Sequence, residues 1–374
     1  MTIDKITEPS AEPMEIYMGP MHPMLHGLWA YRIVVDGERV LDSEVKLGYI
    51  HRGIEKLAEN RNFKQFPPIA DRLCYGASTS WNLTYVMAVE RAMGIEAEIP
   101  ERAQWLRVLG LEMTRICSHL MWMAAWLADL GSWTMLMLPF REREFFFDLM
   151  ESWTGGRLHY NFARVGGLAD NRDLPPGFVD QMYKVIDRFM EKFEVYRDIL
   201  DESEVFMQRT RNLGILKKED ALKFGVTGPN LRASGVNLDW RKKEPYLVYD
   251  QLKFNIPVYT KGDAYSRYQV RMDEMRESCE IMKQVVEKMP ESGPLNMRPP
   301  NKIEGKAFVR TADPRGAASF FIIGDGSNTP YRLKIRSPCF CNMQSFPTLT
   351  KYGKVADIVS VIGSMDVCLG ETDR

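Results

Sequence analysis

The chain has 374 residues, 45% of them hydrophobic and 26% charged, and its 49 basic side chains face 50 acidic ones for a net charge of −1. Such a length buries a large core, and such a charge balance gives no electrostatic grip on nucleic acid or on anionic lipid, so nucleic-acid partners are excluded. The six cysteines (Cys74, Cys117, Cys279, Cys339, Cys341 and Cys368) form no C-x-x-C pair, and no apolar signal stretch opens the chain. Reduced thiols in the cytoplasm are therefore expected.

In chain order, residues 1–14 read as a flexible tail and 15–50 as a β-hairpin region. In the latter, Ala30–Val35 and Glu38–Leu41 flank an Asp36-Gly37 turn, a strong hairpin signal. Before the hairpin, Gly19-Pro-Met-His-Pro-Met-Leu-His-Gly27 carries two prolines and two glycines, which rule out a helix or an interior strand. Residues 51–303 read as a helical body. Its clearest stripes are Phe178, Met182, Val185, Phe189, Phe193, Tyr196 and Leu200, then Tyr268, Met272, Met275, Cys279, Met282 and Val286. Both are expected to face the core. Residues 210–263 are punctuated by Gly and Pro and predict short elements. Residues 304–374 turn to β, with strands at Lys306–Arg310, Ala318–Ile323 and Tyr331–Arg336 and a short helix near Val355–Ile362. The expected class is α+β, a large helical body with small antiparallel sheets from both ends.

Leu120–Leu138 is long enough to suggest a membrane span. Asp129 near its middle, the Gly131-Ser132 break and the charged flanks favour a helix buried in the core, so any membrane association is expected through partners.

No phosphate-binding glycine loop, dinucleotide fingerprint, H-E-x-x-H or G-x-S-x-G is present. His22 and His26 are four apart, but on a non-helical loop, so helical metal-ligand geometry does not apply. Arg115, His119, Trp122, Trp126 and Asp129 share one face of a helix. Buried, such charges need partners, and either a structural salt bridge or an ionisable site would supply them. Arg52 at a helix start, Tyr75 after a helical segment and His159 behind a double glycine each read equally as ordinary surface or core residues.

Taken together, several strings resemble one family. They are Gly19-Pro-Met-His-Pro-x-x-His-Gly27, Leu47-Gly-Tyr-Ile-His-Arg-Gly-x-Glu-Lys56, Arg102-Ala-Gln-Trp-Leu-Arg-Val108, Phe140-Arg-Glu-Arg-Glu144, Thr227-Gly-Pro-x-Leu-Arg-Ala-Ser-Gly235 and the terminal Gly370-Glu-Thr-Asp-Arg374. From about residue 15 onward the chain is similar to the 49-kDa component of complex I, itself akin to [NiFe]-hydrogenase large subunits. The resemblance implies a subunit that binds no cofactor of its own. It would take electrons from a [4Fe–4S] cluster in a small adjacent subunit and pass them to a membrane quinone or methanophenazine. It would work peripherally on the cytoplasmic side, coupled to ion translocation in a membrane arm. By position, His26 and Tyr75 match the residues that hydrogen-bond the acceptor, and Asp129 the carboxylate that pairs with that histidine. Arg52 and His159 match side chains beside the cluster, and His22 belongs to the same acceptor loop. The chemistry suits these types, since a two-electron-reduced quinone needs two protons and hydrogen bonds to cluster sulfurs tune potential.

Departures sharpen the expectation. The hydrogenase thiol motifs read here Arg72-Leu-Cys74-Tyr-Gly-Ala77 and Asp366-Val-Cys368-Leu-Gly-Glu371, so two of four soft ligands are gone and no metal site is expected. Cys74 and Cys368 are then an ancestral remnant, or a sulfur-handling pair as in archaeal sulfane sulfur reductases. Met21, Met24-Leu25 and Asp313-Pro-Arg-Gly-Ala317 also differ from respiratory relatives. They point toward an F420H2 dehydrogenase-type relative that uses methanophenazine.

Overall fold

The computed structural model describes residues 12–21, 25–169 and 172–374; His22 lies outside them. Strands β1 (Met14–Met21), β2 (Trp29–Asp36) and β3 (Arg39–Lys46) form an antiparallel sheet in that order. The hairpin turns where expected, Asp36 facing Arg39 across Gly37 at φ 57°. β1 runs into the Pro-rich segment, taking in Gly19 and Pro20 with a register break between Met18 and Met21. An edge strand tolerates this, because a proline there removes no ladder donor.

Five long helices follow: α1 (Ser78–Met93), α2 (Glu101–Asp129), α3 (Thr134–Thr154), α4 (Phe178–Asp201) and α5 (Ala264–Lys288). α2 is the central pillar. Nearly every side chain from Arg102 to Leu127 is buried, and α3 and α5 pack along it. The apolar run around Leu120–Leu138 is split by the turn at Leu130–Ser132, with Gly131 at φ 92°. Among the described residues no helix is long and apolar enough to cross a membrane. The predicted stripe of α4 is buried throughout, and that of α5 from Tyr268 to Met282.

Another three-stranded sheet, β4 (Glu304–Asp313), β5 (Gly316–Asp325) and β6 (Arg332–Arg336), lies against α1. β4 and β5 extend beyond the predicted segments and meet at a tight turn, Asp313-Pro-Arg-Gly316. Gly316 sits there at φ 142°, where a Cβ would collide with Thr227 Oγ1. The fold is α+β, as the patterns indicated.

Candidate functional site

The C-terminal segment 366–374 organises the site. It threads between the loop that carries His26 and the segment 48–52. His26 N–H donates to Val367 O at 3.2 Å and Leu369 N–H to His26 O at 2.8 Å, a parallel bridge between His26 and Cys368. Gly27 follows at φ 126°, and a Cβ there would lie 2.8 Å from Leu369 Cβ, so glycine is what allows this approach. The Asp373 carboxylate accepts from the backbone N–H of Gly48 (3.0 Å) and Ile50 (3.1 Å). The terminal Gly-Glu-Thr-Asp-Arg string therefore has a structural task in seating the site.

Tyr75 opens the turn leading into α1. Its hydroxyl lies 3.0 Å from His26 Nδ1, with the two rings edge-on at 88°. Burial, reinforced by the adjacent Cys368 and Cys74, pushes the phenol above its ordinary value, so Tyr75 rests as an O–H donor. The imidazole's other nitrogen, Nε2, is 3.4 Å from Asp366 Oδ1. Asp129, expected as a carboxylate of this site, ends α2 and is half-buried.

Asp366 went unassigned in the sequence, as did its partners. Arg315 Nη2 is 3.0 Å from Asp366 Oδ1, and Arg271 Nε is 4.0 Å from Oδ2. All three side chains are fully buried, and Asp366 adopts φ 52°, rare for a non-glycine residue. Burial would raise its pKa, but Arg315 and His26 overcome that and hold the carboxyl below the usual range. One signal was available: Asp366 is the lone charge in the apolar run Val361–Leu369, and a buried carboxylate demands a cationic partner.

Arg315 also donates to Cys74 Sγ (3.3 Å) and Ser118 Oγ (3.0 Å). A third thiol, Cys339, accepts from Cys368 N–H at 3.3 Å. Burial drives the Cys74 and Cys339 thiols upward, so they stay protonated and are poor nucleophiles. Glu371, at a lost-thiol position, accepts from Trp81 Nε1 (3.0 Å), Ser337 Oγ (3.0 Å) and Cys339 N–H (3.3 Å). Among the described residues no three His, Cys, Asp or Glu side chains converge as a metal site.

Arg52 and His159 lie beside the Asp71-Arg72 segment that precedes the Tyr75 turn. Exposed Arg52 donates Nη1 to Arg72 O and Nη2 to Gly370 O, both at 2.8 Å, joining the two strings that carry Cys74 and Cys368. His159 is half-buried on a polar recess of about 250 Å³ shared with Asn161, Arg164 and Arg172. Burial and then the Arg72 charge lower its pKa, and its Nδ1 has no hydrogen-bond partner among the described residues. Beside it, buried Asp71 accepts from Asn161 N–H at 2.7 Å, and burial pushes its carboxyl up to about 8. Folded protein thus retains a proton that the unfolded chain releases above about pH 4, so Asp71 makes stability fall as pH rises toward 8. Asp71→Asn, which keeps the acceptor oxygen, is expected to flatten that slope and raise the unfolding temperature at pH 8 more than at pH 5. Thermal unfolding at the two pH values checks this.

Four members of the one-face cluster of α2 (Arg115, His119, Trp122 and Trp126) make structural contacts. Arg115 pairs with Glu112 (3.2 Å) and Glu274 (3.4 Å), and His119 Nε2 is 3.0 Å from Glu274. Trp122 and Trp126 stack with centroids 5.1 Å apart and donate to the carbonyls of Gly363 and Ser360. For Arg115 and His119, salt bridging is the alternative that these contacts realise.

This arrangement has close counterparts. A chain in the solved structure of the membrane-bound sulfane sulfur reductase, an archaeal respiratory membrane complex, matches with a TM-score of 0.92 and 33% identity, covering 97% of this chain and 98% of that one. The model of the family described as respiratory-chain NADH dehydrogenase, 49 Kd subunit, matches residues 129–304 and 296–374. The D-type subunit of NADH-quinone oxidoreductase from Bacillus cereus is 40% identical over 97% of this chain and 99% of its own length. Its counterpart in the NADH-quinone oxidoreductase of Opitutus terrae is 38% identical over 99% and 93%. The chain belongs to the 49-kDa subunit family of respiratory NADH dehydrogenase.

Proposed function

We propose that this chain is the acceptor-reducing subunit of a complex I-like membrane oxidoreductase, with a membrane quinone or methanophenazine as substrate. The observation that carries the reading is the 3.0 Å contact between the Tyr75 hydroxyl and His26 Nδ1, two proton-bearing groups from distant parts of the chain. Converting a quinone to its quinol takes two electrons and two protons. The electrons come one at a time from a [4Fe–4S] cluster in a small adjacent subunit. Arg52 and His159 suit the face toward that cluster: an exposed guanidinium, and an imidazole whose Nδ1 has no partner among the described residues. Tyr75 donates its O–H to an acceptor oxygen, and His26, in contact with that hydroxyl, holds a second proton beside it. Asp129 and His22 are proposed to serve this acceptor loop. The complex sits on the cytoplasmic face of the membrane and couples the reduction to ion movement in its membrane arm.

The test is acceptor reduction by the purified complex carrying His26→Gln, assayed with decylubiquinone and with 2-hydroxyphenazine. A drop of at least tenfold with the preferred acceptor supports the reading. An unchanged rate there and in Tyr75→Phe would reduce the chain to a scaffold. Stoichiometric nickel would instead mark a hydrogenase.

A second reading is favoured by the buried thiols Cys74, Cys339 and Cys368 around Arg315. Sulfane sulfur reduction at Cys74 and Cys368 predicts sulfide release from added polysulfide that Cys74→Ser abolishes.

A further inference from the structure

We infer that Asp366, gripped by Arg315 and Arg271, is the positioning carboxylate of His26, which it orients and stabilises in protonated form so that Nδ1–H can replace the proton Tyr75 gives up. The inference rests on the acceptor-reducing reading and adds to it residues that the family resemblance left without a role.

The geometry forms a line. Asp366 Oδ1 is 3.4 Å from His26 Nε2, and His26 Nδ1 is 3.0 Å from the Tyr75 oxygen. A carboxylate at one imidazole nitrogen and a hydroxyl at the other is the arrangement by which an acid group fixes ring orientation and supports an imidazolium without taking its proton. Asp366 is kept from taking it by the positive charge of Arg315, 3.0 Å from Oδ1, with Arg271 4.0 Å from Oδ2. In the step, the Tyr75 O–H bond breaks and its proton goes to the acceptor oxygen. The His26 Nδ1–H bond then breaks and that proton passes to the Tyr75 oxygen. Imidazolium becomes imidazole, Nε2–H stays in place and the Asp366 carboxylate is unchanged. The electrons come from the iron–sulfur carrier alone.

Arg315 ties both ends of this line together. Besides Asp366, it holds Cys74, the residue before Tyr75. Its guanidinium also lies under Gly76, the residue after: a Cβ at Gly76 would be 3.3 Å from Arg315 Nη2 and would collide with Met121 Cε. One rigid planar cation thus sets the spacing between phenol and imidazole. The left-handed φ of 52° at Asp366 is further evidence that this carboxylate is held in place at a conformational cost.

The experiment is a mutant cycle in the intact membrane complex supplied with its own reductant, with decylubiquinone as the probe acceptor. Ferricyanide reduction upstream of the site reports assembly. Asp366→Asn is expected to lower kcat at least about tenfold, as loss of an orienting partner does, with KM changed less than about twofold. In a His26→Gln background the same substitution is expected to add less than about twofold, because its effect passes through the imidazole. A kcat unchanged by Asp366→Asn, or a full independent loss in the double variant, overturns the inference. So does Asp129→Asn proving the substitution that His26→Gln masks. If Asp366→Asn fails the ferricyanide control, the cycle is read in Arg315→Lys, with the same pattern expected and the same outcomes overturning it. Full activity in both His26→Gln and Tyr75→Phe would instead defeat the acceptor-reducing reading itself.

Discussion

Tyr75→Phe is expected to lower the rate of acceptor reduction by about two orders of magnitude, the usual loss when a positioned proton donor is removed. The substitution deletes one hydroxyl and keeps the ring, so the edge-on contact with His26 at a centroid distance of 5.8 Å survives. One hydrogen bond at a half-buried position contributes about 1 kcal/mol to stability, so the complex should assemble and its upstream ferricyanide activity should persist. The pH profile provides a second check. An ordinary phenol titrates near 10, and burial next to Cys368 and Cys74 raises Tyr75 further. Tyr75 therefore remains protonated across the working range and contributes no alkaline limb of its own. Tyr75→Phe should depress the whole profile without moving its limbs, measured as kcat from pH 6 to 9. A limb that disappears in the variant would show that Tyr75 titrates in that range and would contradict the burial argument.

The local parts of this architecture were legible because they are written over short distances. The Asp36-Gly37 hairpin and the α4 stripe follow from periods of two and 3.6 residues, and the break at Gly131-Ser132 divides the long apolar run as its composition indicated. The site was only partly legible. His26 and Tyr75 are 49 positions apart, and no spacing rule joins them; family resemblance singled them out. Asp366 was quoted only as the flank of an absent thiol, and Arg315 only inside a string that departs from respiratory relatives. Their meaning depends on the parallel bridge between His26 and Cys368 and on the turn at Asp313–Gly316, both long-range pairings. Arg115 and His119 were visible as charges on one helix face. Which role they take was decided by Glu274, 155 positions beyond His119 on α5.

The same buried charges yield the largest expected effect on stability. Arg241 is fully buried and pairs with Asp239 at 2.7 Å, Glu274 at 2.9 Å and Glu112 at 3.2 Å. Those carboxylates also share Arg232 and Arg115. Two cations would then face three anions in a fully buried site, where screening is weak. Arg241→Met is expected to cost about 3–5 kcal/mol, as breaking a buried pair from one side does. That is a large part of the total stability of a domain, about 5–15 kcal/mol, so little assembled complex should accumulate. The pH dependence identifies the cause. Burial would raise Asp239, but Arg241 and Arg232 hold its carboxyl down at about 2. Stability from such a group is present above its unfolded pKa and lost as pH falls through the folded one. Without Arg241 the folded carboxylates bind protons more readily, so the variant loses less on acidification than the parent. The gap in unfolding free energy should be widest near neutral pH and narrow below about pH 4, checked by denaturant unfolding at both. Whatever complex does assemble should reduce the acceptor at nearly the parental rate per molecule, because the network supports the fold around α2 and none of its three carboxylates lies at hydrogen-bond distance from His26 or Tyr75 among the described contacts.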